Sequence, residues 1–265
     1  MRKKRLIFTL LYNDGNFMLS RNFRLQKVGN LDWIENNYNF ENIAFSIDEL
    51  IILNVNRNGR NLIEFSKTIA KLISNVFVPV AVGGGVTSME YAKTLFMSGA
   101  DKIIINSILT ENPYLVKELV REYGSQSVIA SIDYNIDKKE ILAYRNNGIN
   151  PINYNFTDYI TYIQKLGVGE VYLNSIQKDG TGQGYSMDII GPYLNLFKVP
   201  VILAGGAGNS KHLIEASHNP GVDAVATANL FNFIGQALPN SRRDMQEEGI
   251  HMANFLPLKK VKQPV

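Results

Sequence analysis

Shifted along itself by 121 or 122 residues, the chain lays one half on the other. Pro79-Val80-Ala81-Val82-Gly83-Gly84-Gly85 falls on Pro200-Val201-Ile202-Leu203-Ala204-Gly205-Gly206, and Gly99-Ala100-Asp101 falls on Gly221-Val222-Asp223. Glu49 falls on Glu170, and Leu11-Tyr12-Asn13 falls on Asp133-Tyr134-Asn135. Barrel strands resemble one another in any case, but here one register holds through four strand pairs almost without gaps. A repeat of that length is too long for a solenoid unit and has the size of half a domain. The chain therefore reads as a duplicated half-barrel, with halves at about 1–124 and 125–254.

The units inside each half support this. Short apolar runs rich in β-branched residues lie at 6–11, 49–55, 78–82, 102–106, 128–133, 170–175, 200–204 and 224–227. Segments of helical period separate them, among them 62–73, 89–97, 114–123, 156–166 and 211–217. Near-continuous apolar strands between helices imply a parallel sheet covered on both faces. Eight such units in 265 residues imply one closed (β/α)8 TIM barrel over 1–254, with 255–265 as a loose basic tail. Its two prolines and three lysines carry no amphipathic period, and it reads as a solvated end rather than a site for an acidic partner.

Composition excludes several classes. A net charge of +3 is too weak to argue for a nucleic-acid partner. The absence of cysteine removes disulfides, thiol catalysis and cysteine-ligated metals. The basic start and the apolar run 6–11 share the outline of a signal peptide. The run is short, however, and meets a turn at Asn13-Asp14-Gly15, so a buried first strand is the better reading. No stretch approaches the roughly 20 apolar residues of a membrane span. The expectation is a cytoplasmic protein with no cofactor and no metal: His212, His218 and His251 lack a ligand spacing with carboxylates.

Four groups of residues carry chemistry. Gly84-Gly85 and Gly205-Gly206 each follow a strand and precede a helix, where backbone N–H groups and a helix N-terminus can hold a phosphate. One such pair also serves any tight turn. Two at equivalent positions, each one unit before a polar strand end (Asn106-Ser107 and Ala228-Asn229), imply a ligand with a phosphate at each end. Asp133 ends the fifth strand, where a carboxylate is either a general acid or base or a loop cap. Asp179-Gly180 opens a polar loop after the sixth strand; Asp179 orders that loop or simply belongs to a turn. Arg5, Glu49, Lys102 and Glu170 stand at the starts of the first, second, fourth and sixth strands. There they would converge about the axis at the bottom of the barrel, as a structural charge cluster or as a functional one.

With these residues in view, the runs VPVAVGGGVTSMEYAKTLFMSGADKIIINS, GSQSVIASID, DGTGQGY and VPVILAGGAG resemble the HisF family, the cyclase subunits of imidazole glycerol phosphate synthase. The similarity extends from Arg5 to about Asn254; it is weaker to the sister isomerase family HisA, which shares the duplicated barrel. The resemblance implies a lyase and cyclase of histidine biosynthesis. Ammonia from a HisH glutaminase partner at the N-terminal face enters through the bottom of the barrel. It reacts at the top with PRFAR, a substrate with a phosphate at each end. The resemblance also implies that Gly84, Gly85, Asn106 and Ser107 form one phosphate site, and Asp179, Gly180, Gly205, Gly206, Ala228 and Asn229 the other. Arg5, Glu49, Lys102 and Glu170 become the ring at the ammonia entrance, and Asp133 one member of the acid–base pair.

The sequence departs from the family at the top. The family's first-strand aspartate is Leu11 here, the position the repeat pairs with Asp133; its loop-one lysine is Leu19 and its second-strand aspartate is Asn54. Leucine transfers no proton, and loss of one acid–base partner commonly lowers rate by about 10²–10⁴. Asp14 and Arg21 are the neighbouring groups that could compensate. Three readings follow: a cyclase subunit; a paralogue that delivers ammonia to an amidating enzyme of surface-polysaccharide synthesis; or a scaffold that only activates its glutaminase.

Overall fold

The computed structural model describes residues 2–38, 45–229, 232 and 235–255. Eight parallel strands close on themselves: β1 (Arg5–Asn13), β4 (Glu49–Asn54), β5 (Val80–Gly83), β6 (Lys102–Ile105), β7 (Val128–Asp137), β10 (Glu170–Ser175), β11 (Val201–Ala204) and β12 (Ala224–Thr227). The ring closes where β7 meets β10 and where β12 meets β1. Helices α2 (Leu62–Ile73), α3 (Met89–Met97), α5 (Pro113–Tyr123), α6 (Phe156–Lys165) and α8 (Ser210–Ser217) alternate with them, as the 3.6-residue period indicates. Each begins at an asparagine or serine whose side chain accepts a backbone N–H: Asn61, Ser88, Asn112, Asn155 and Asn209. The basic tail expected at 255–265 lies, beyond Phe255, outside the described residues.

Alternation along each strand divides the interior into two cores. On β1, Leu6, Phe8, Leu10 and Tyr12 face the helices, while Ile7 packs inside the barrel with Ile51, Ala81, Ile104, Ile129, Tyr172 and Ile202. Both faces are thus dry, which is why these strands read as continuous apolar runs.

The two halves also repeat in detail. Asp101 Oδ2 accepts the Val80 N–H at 2.8 Å, and Asp223 Oδ2 accepts the Val201 N–H at 3.0 Å. Each aspartate ties the start of its own strand to that of the preceding one. The equivalent strands β1 and β7 both run on into antiparallel hairpins: β2 (Asn16–Arg21) with β3 (Arg24–Gly29), and β8 (Glu140–Arg145) with β9 (Asn150–Pro151).

Those hairpins were not expected from the sequence, nor were helices α1 (Leu31–Asn37), α4 (Ile108–Glu111), α7 (Met187–Leu194) and α9 (Ala237–Glu247). The reason is local. The β3 run RLQKVG is polar and has no buried residue; α7 carries Gly191 and Pro192, and α9 carries Pro239, all of which blur a helical period. His251 lies beyond the end of α9.

Candidate functional site

At the N-terminal end of the barrel, four strand-initial side chains form a closed ring. Arg5 Nη1 donates to Glu49 Oε2 at 2.9 Å, and its other terminal nitrogen donates to Glu170 Oε1. Lys102 Nζ donates to Glu49 Oε2 at 2.9 Å and to Glu170 Oε2 at 3.1 Å. Each cation therefore bridges both carboxylates, and the sequence-predicted cluster is brought together as one unit. Both glutamates are buried. Burial pushes the Glu49 carboxyl above its ordinary range against the pull of Lys102. Burial alone would lower the Arg5 pKa, but the Glu170 hydrogen bond and the charges of Glu170 and Glu49 outweigh it and hold Arg5 protonated. Desolvating four charges offsets most of their mutual attraction, so the ring adds little that an apolar plug would not.

At the opposite end the strands and their loops enclose a cavity of about 410 Å³. Its wall includes Asp133, both glycine turns, Asn106-Ser107 and Ala228-Asn229. Gly84 and Gly205 adopt φ of 97° and 79°, the left-handed region. A Cβ there would lie 2.1 Å from Asn54 O and 2.5 Å from Ser175 O respectively. Only glycine lets these two turns pass so close to the preceding strand end, and the clash partners are themselves equivalent in the repeat.

Asp133 is buried and held by two amides: Asn174 Nδ2 donates to Oδ1 at 3.2 Å and Asn106 Nδ2 to Oδ2 at 3.4 Å. Burial raises its pKa to about 7; the Asn174 hydrogen bond opposes this, and the charge of Asp179 adds to it. A carboxyl poised there can give or take a proton near neutrality. Leu11 lines the same cavity, and Asn54 lies in its wall with Oδ1 turned back to accept the Asn56 N–H at 3.1 Å. Leu19 packs against the outer core, while Asp14 sits in the β1–β2 turn and Arg21 at the hairpin tip; none of the three lines the cavity.

Asp179, also in the cavity wall, is bonded to the β2–β3 hairpin. Its carboxylate accepts the Ser20 hydroxyl and the Phe23 N–H at 3.0 Å, and its carbonyl accepts the Asn22 N–H at 2.9 Å. It thereby draws the β2–β3 hairpin across to the loop after β10. Ser107 similarly donates to Asn146 Oδ1 at 2.8 Å, tying the second hairpin down.

Among the polar residues of this cavity that were not singled out in the sequence are Asn174, Arg57 and Arg60. Asn174 was within reach, since it stands four residues after Glu170 and so shares its inward face. The two arginines lie in a loop, where no periodicity assigns a direction.

Comparison with known proteins agrees with this architecture. A family model described as "Histidine biosynthesis protein" matches residues 31–236. A protein of Parasynechococcus marenigrum, provisionally named imidazole glycerol phosphate synthase subunit hisF2, is 43% identical over 246 residues, 93% of this chain and 91% of that one. The imidazole glycerol phosphate synthase subunit HisF of Pelodictyon phaeoclathratiforme is 31% identical over 94% of this chain and 98% of its own. That of Pyrobaculum aerophilum is 36% identical over 77% and 81%. No helix among the described residues is long and apolar enough to cross a membrane. With a closed eight-stranded parallel barrel, these matches over almost its whole length place the chain in the HisF family of imidazole glycerol phosphate synthase subunits.

Proposed function

We propose that this chain is the ammonia-accepting subunit of a glutamine-dependent enzyme, receiving ammonia at the ring and passing it up the barrel to a phosphorylated substrate. The observation that carries the reading is the ring itself. Arg5, Glu49, Lys102 and Glu170 occupy the axis at one end, and Asp133 with the glycine turns lies at the other. Four charges on the axis of a barrel contribute little to stability, so a passage that opens and closes accounts for them better than a structural role. A HisH-like glutaminase at the N-terminal face would supply the ammonia. Gly84, Gly85, Asn106 and Ser107 would hold one phosphate, and Gly180, Gly205, Gly206, Ala228 and Asn229 the other, with Asp179 ordering the lid between them. Asp133 would transfer the proton.

The reaction in this reading is the HisF cyclase and lyase step on PRFAR. Purified protein, a HisH partner, glutamine and PRFAR should yield imidazole glycerol phosphate, and product formation no faster than without protein would overturn it. Leu11→Asp should raise the rate by about 10²-fold or more if the single carboxylate limits it.

Leu11 favours a second reading, in which the barrel hands ammonia to a separate amidating enzyme such as one of surface-polysaccharide synthesis. Glutaminase stimulation without cyclase product would select it over the first. Transfer to the acceptor more efficient than from free ammonium would separate it from a scaffold that only activates the glutaminase.

A further inference from the structure

The two glycine turns are equivalent in backbone but not in charge. Arg60, in the loop between β4 and α2, folds over the first: a Cβ on Gly85 would lie 2.3 Å from Arg60 Cδ and 2.9 Å from Nε. Among the described residues its guanidinium makes one long hydrogen bond, Nε to Asn54 O at 3.4 Å, and no salt bridge. Partial burial lowers its pKa, and the nearby Tyr91 opposes that shift without cancelling it. Tyr91 in turn donates its hydroxyl to Gly84 O at 3.0 Å and fixes the turn from the other side.

Of the remaining charged groups of the cavity, the carboxylates are engaged or held toward the neutral form, and Arg57 is turned to the β2–β3 hairpin. Glu111 pairs with Arg145, and Asp179 is taken by Ser20 and Phe23. Asp133 is pushed toward its neutral form, and Arg57 Nη2 donates to Phe23 O at 2.6 Å. In the second half the repeat puts Thr181 where Arg60 stands, and the Thr181 hydroxyl donates to Lys178 O at 2.8 Å. Neither Thr181 nor Lys178 lines the cavity, so among the described residues the Gly205–Gly206 turn has no cation to match.

We propose that Arg60 is a specificity-determining residue that makes the Gly84–Gly85 turn the dominant anion-binding end, so that a sugar with one terminal phosphate seats it there in preference to the Gly205–Gly206 turn. The proposal rests on the reading of both glycine turns as phosphate sites and adds to it a polarity. A phosphate seated on the first turn gains a planar donor fork that lacks an ion partner among the described residues. One seated on the second turn finds no such cation among the described residues.

The test is an amide NMR titration of the whole chain with ribose 5-phosphate, with ribose as the uncharged control. Gly84 and Gly85 should shift at concentrations that leave Gly205 and Gly206 nearly unmoved. Arg60→Ala should weaken binding on the order of 10–100-fold, with Arg60→Lys intermediate, because a charge-assisted fork is lost from an exposed position that does not hold the fold. If both turns respond alike and Arg60→Ala binds as tightly as the parent, the phosphate sites stand and the role of Arg60 falls. If neither turn responds to ribose 5-phosphate, the phosphate reading falls with it.

Discussion

Asn174 Nδ2 donates to Asp133 Oδ1 at 3.2 Å across the seam between β10 and β7, in the same layer of the barrel. This bond favours the charged carboxylate, whereas burial favours the neutral acid, and burial dominates. Asn174→Ala should therefore move the Asp133 titration upward from about 7. Carboxyl-carbon NMR against pH reads the shift directly, and an unchanged or lowered midpoint would contradict the assignment.

The same pKa has a consequence for stability. Unfolded, Asp133 titrates near an ordinary 3.8; folded, it does so near 7. Between those values only the folded state holds the proton, so folding is favoured below about pH 4, and the advantage is lost as pH rises through 7. Asp133→Asn removes this dependence. Relative to the parent, the variant should gain a few kcal/mol between pH 4 and pH 8.5 by urea denaturation. A constant difference across that range would show that Asp133 does not carry the shift.

In the ring, Lys102 neutralises two carboxylates that the barrel has desolvated. Lys102→Met should cost about 3–5 kcal/mol, since it leaves Glu49 and Glu170 facing each other with Arg5 alone between them. Adding Glu49→Gln to that variant should recover part of the loss. A double change as costly as the sum of the two singles would mean that the ring is not a coupled unit.

Asp179 holds the β2–β3 hairpin through Ser20 and Phe23. Asp179→Ala should accelerate hydrogen exchange at Asn22 and Phe23 by tenfold or more, on the order of the 1–3 kcal/mol of a lost charge-assisted bond, while core strands exchange as before. Equal protection in parent and variant would mean that Arg57 and the Asn22 contacts suffice to keep the hairpin down.

Gly84→Ala places a methyl carbon 2.1 Å from the backbone oxygen of Asn54 at a positive φ, so the end of β4 must move. A loss of about 2 kcal/mol or more in thermal or denaturant unfolding is expected, matched at Gly205 against Ser175. A loss below 0.5 kcal/mol at either position would show that the turn yields easily.

All eight strands lie where their apolar runs stand in the sequence, because a strand buried on both faces needs an unbroken apolar run and little else can hide one. The hairpins escaped for the opposite reason: lids half in water keep polar residues, and RLQKVG has no alternation to find. A cue was present in Asn146-Asn147-Gly148, which supplies three successive positive φ values at the second hairpin's turn. The ring was legible as well, since Arg5, Glu49, Lys102 and Glu170 each open a strand and a parallel barrel gathers its strand starts at one end.

The sequence by itself determined the duplicated halves, the alternation of strand and helix, and which strand ends carry charge and glycine. These follow from periodicity and from chain conformation, both local properties. The tertiary structure alone decided that Asp179 serves the hairpin, that Asn174 and Asn106 grip Asp133, and that Arg60 covers only one of two matching turns. Each of these depends on which groups are brought together across the barrel and on how much water its closure removes. Neither distance nor desolvation is written in the order of the residues.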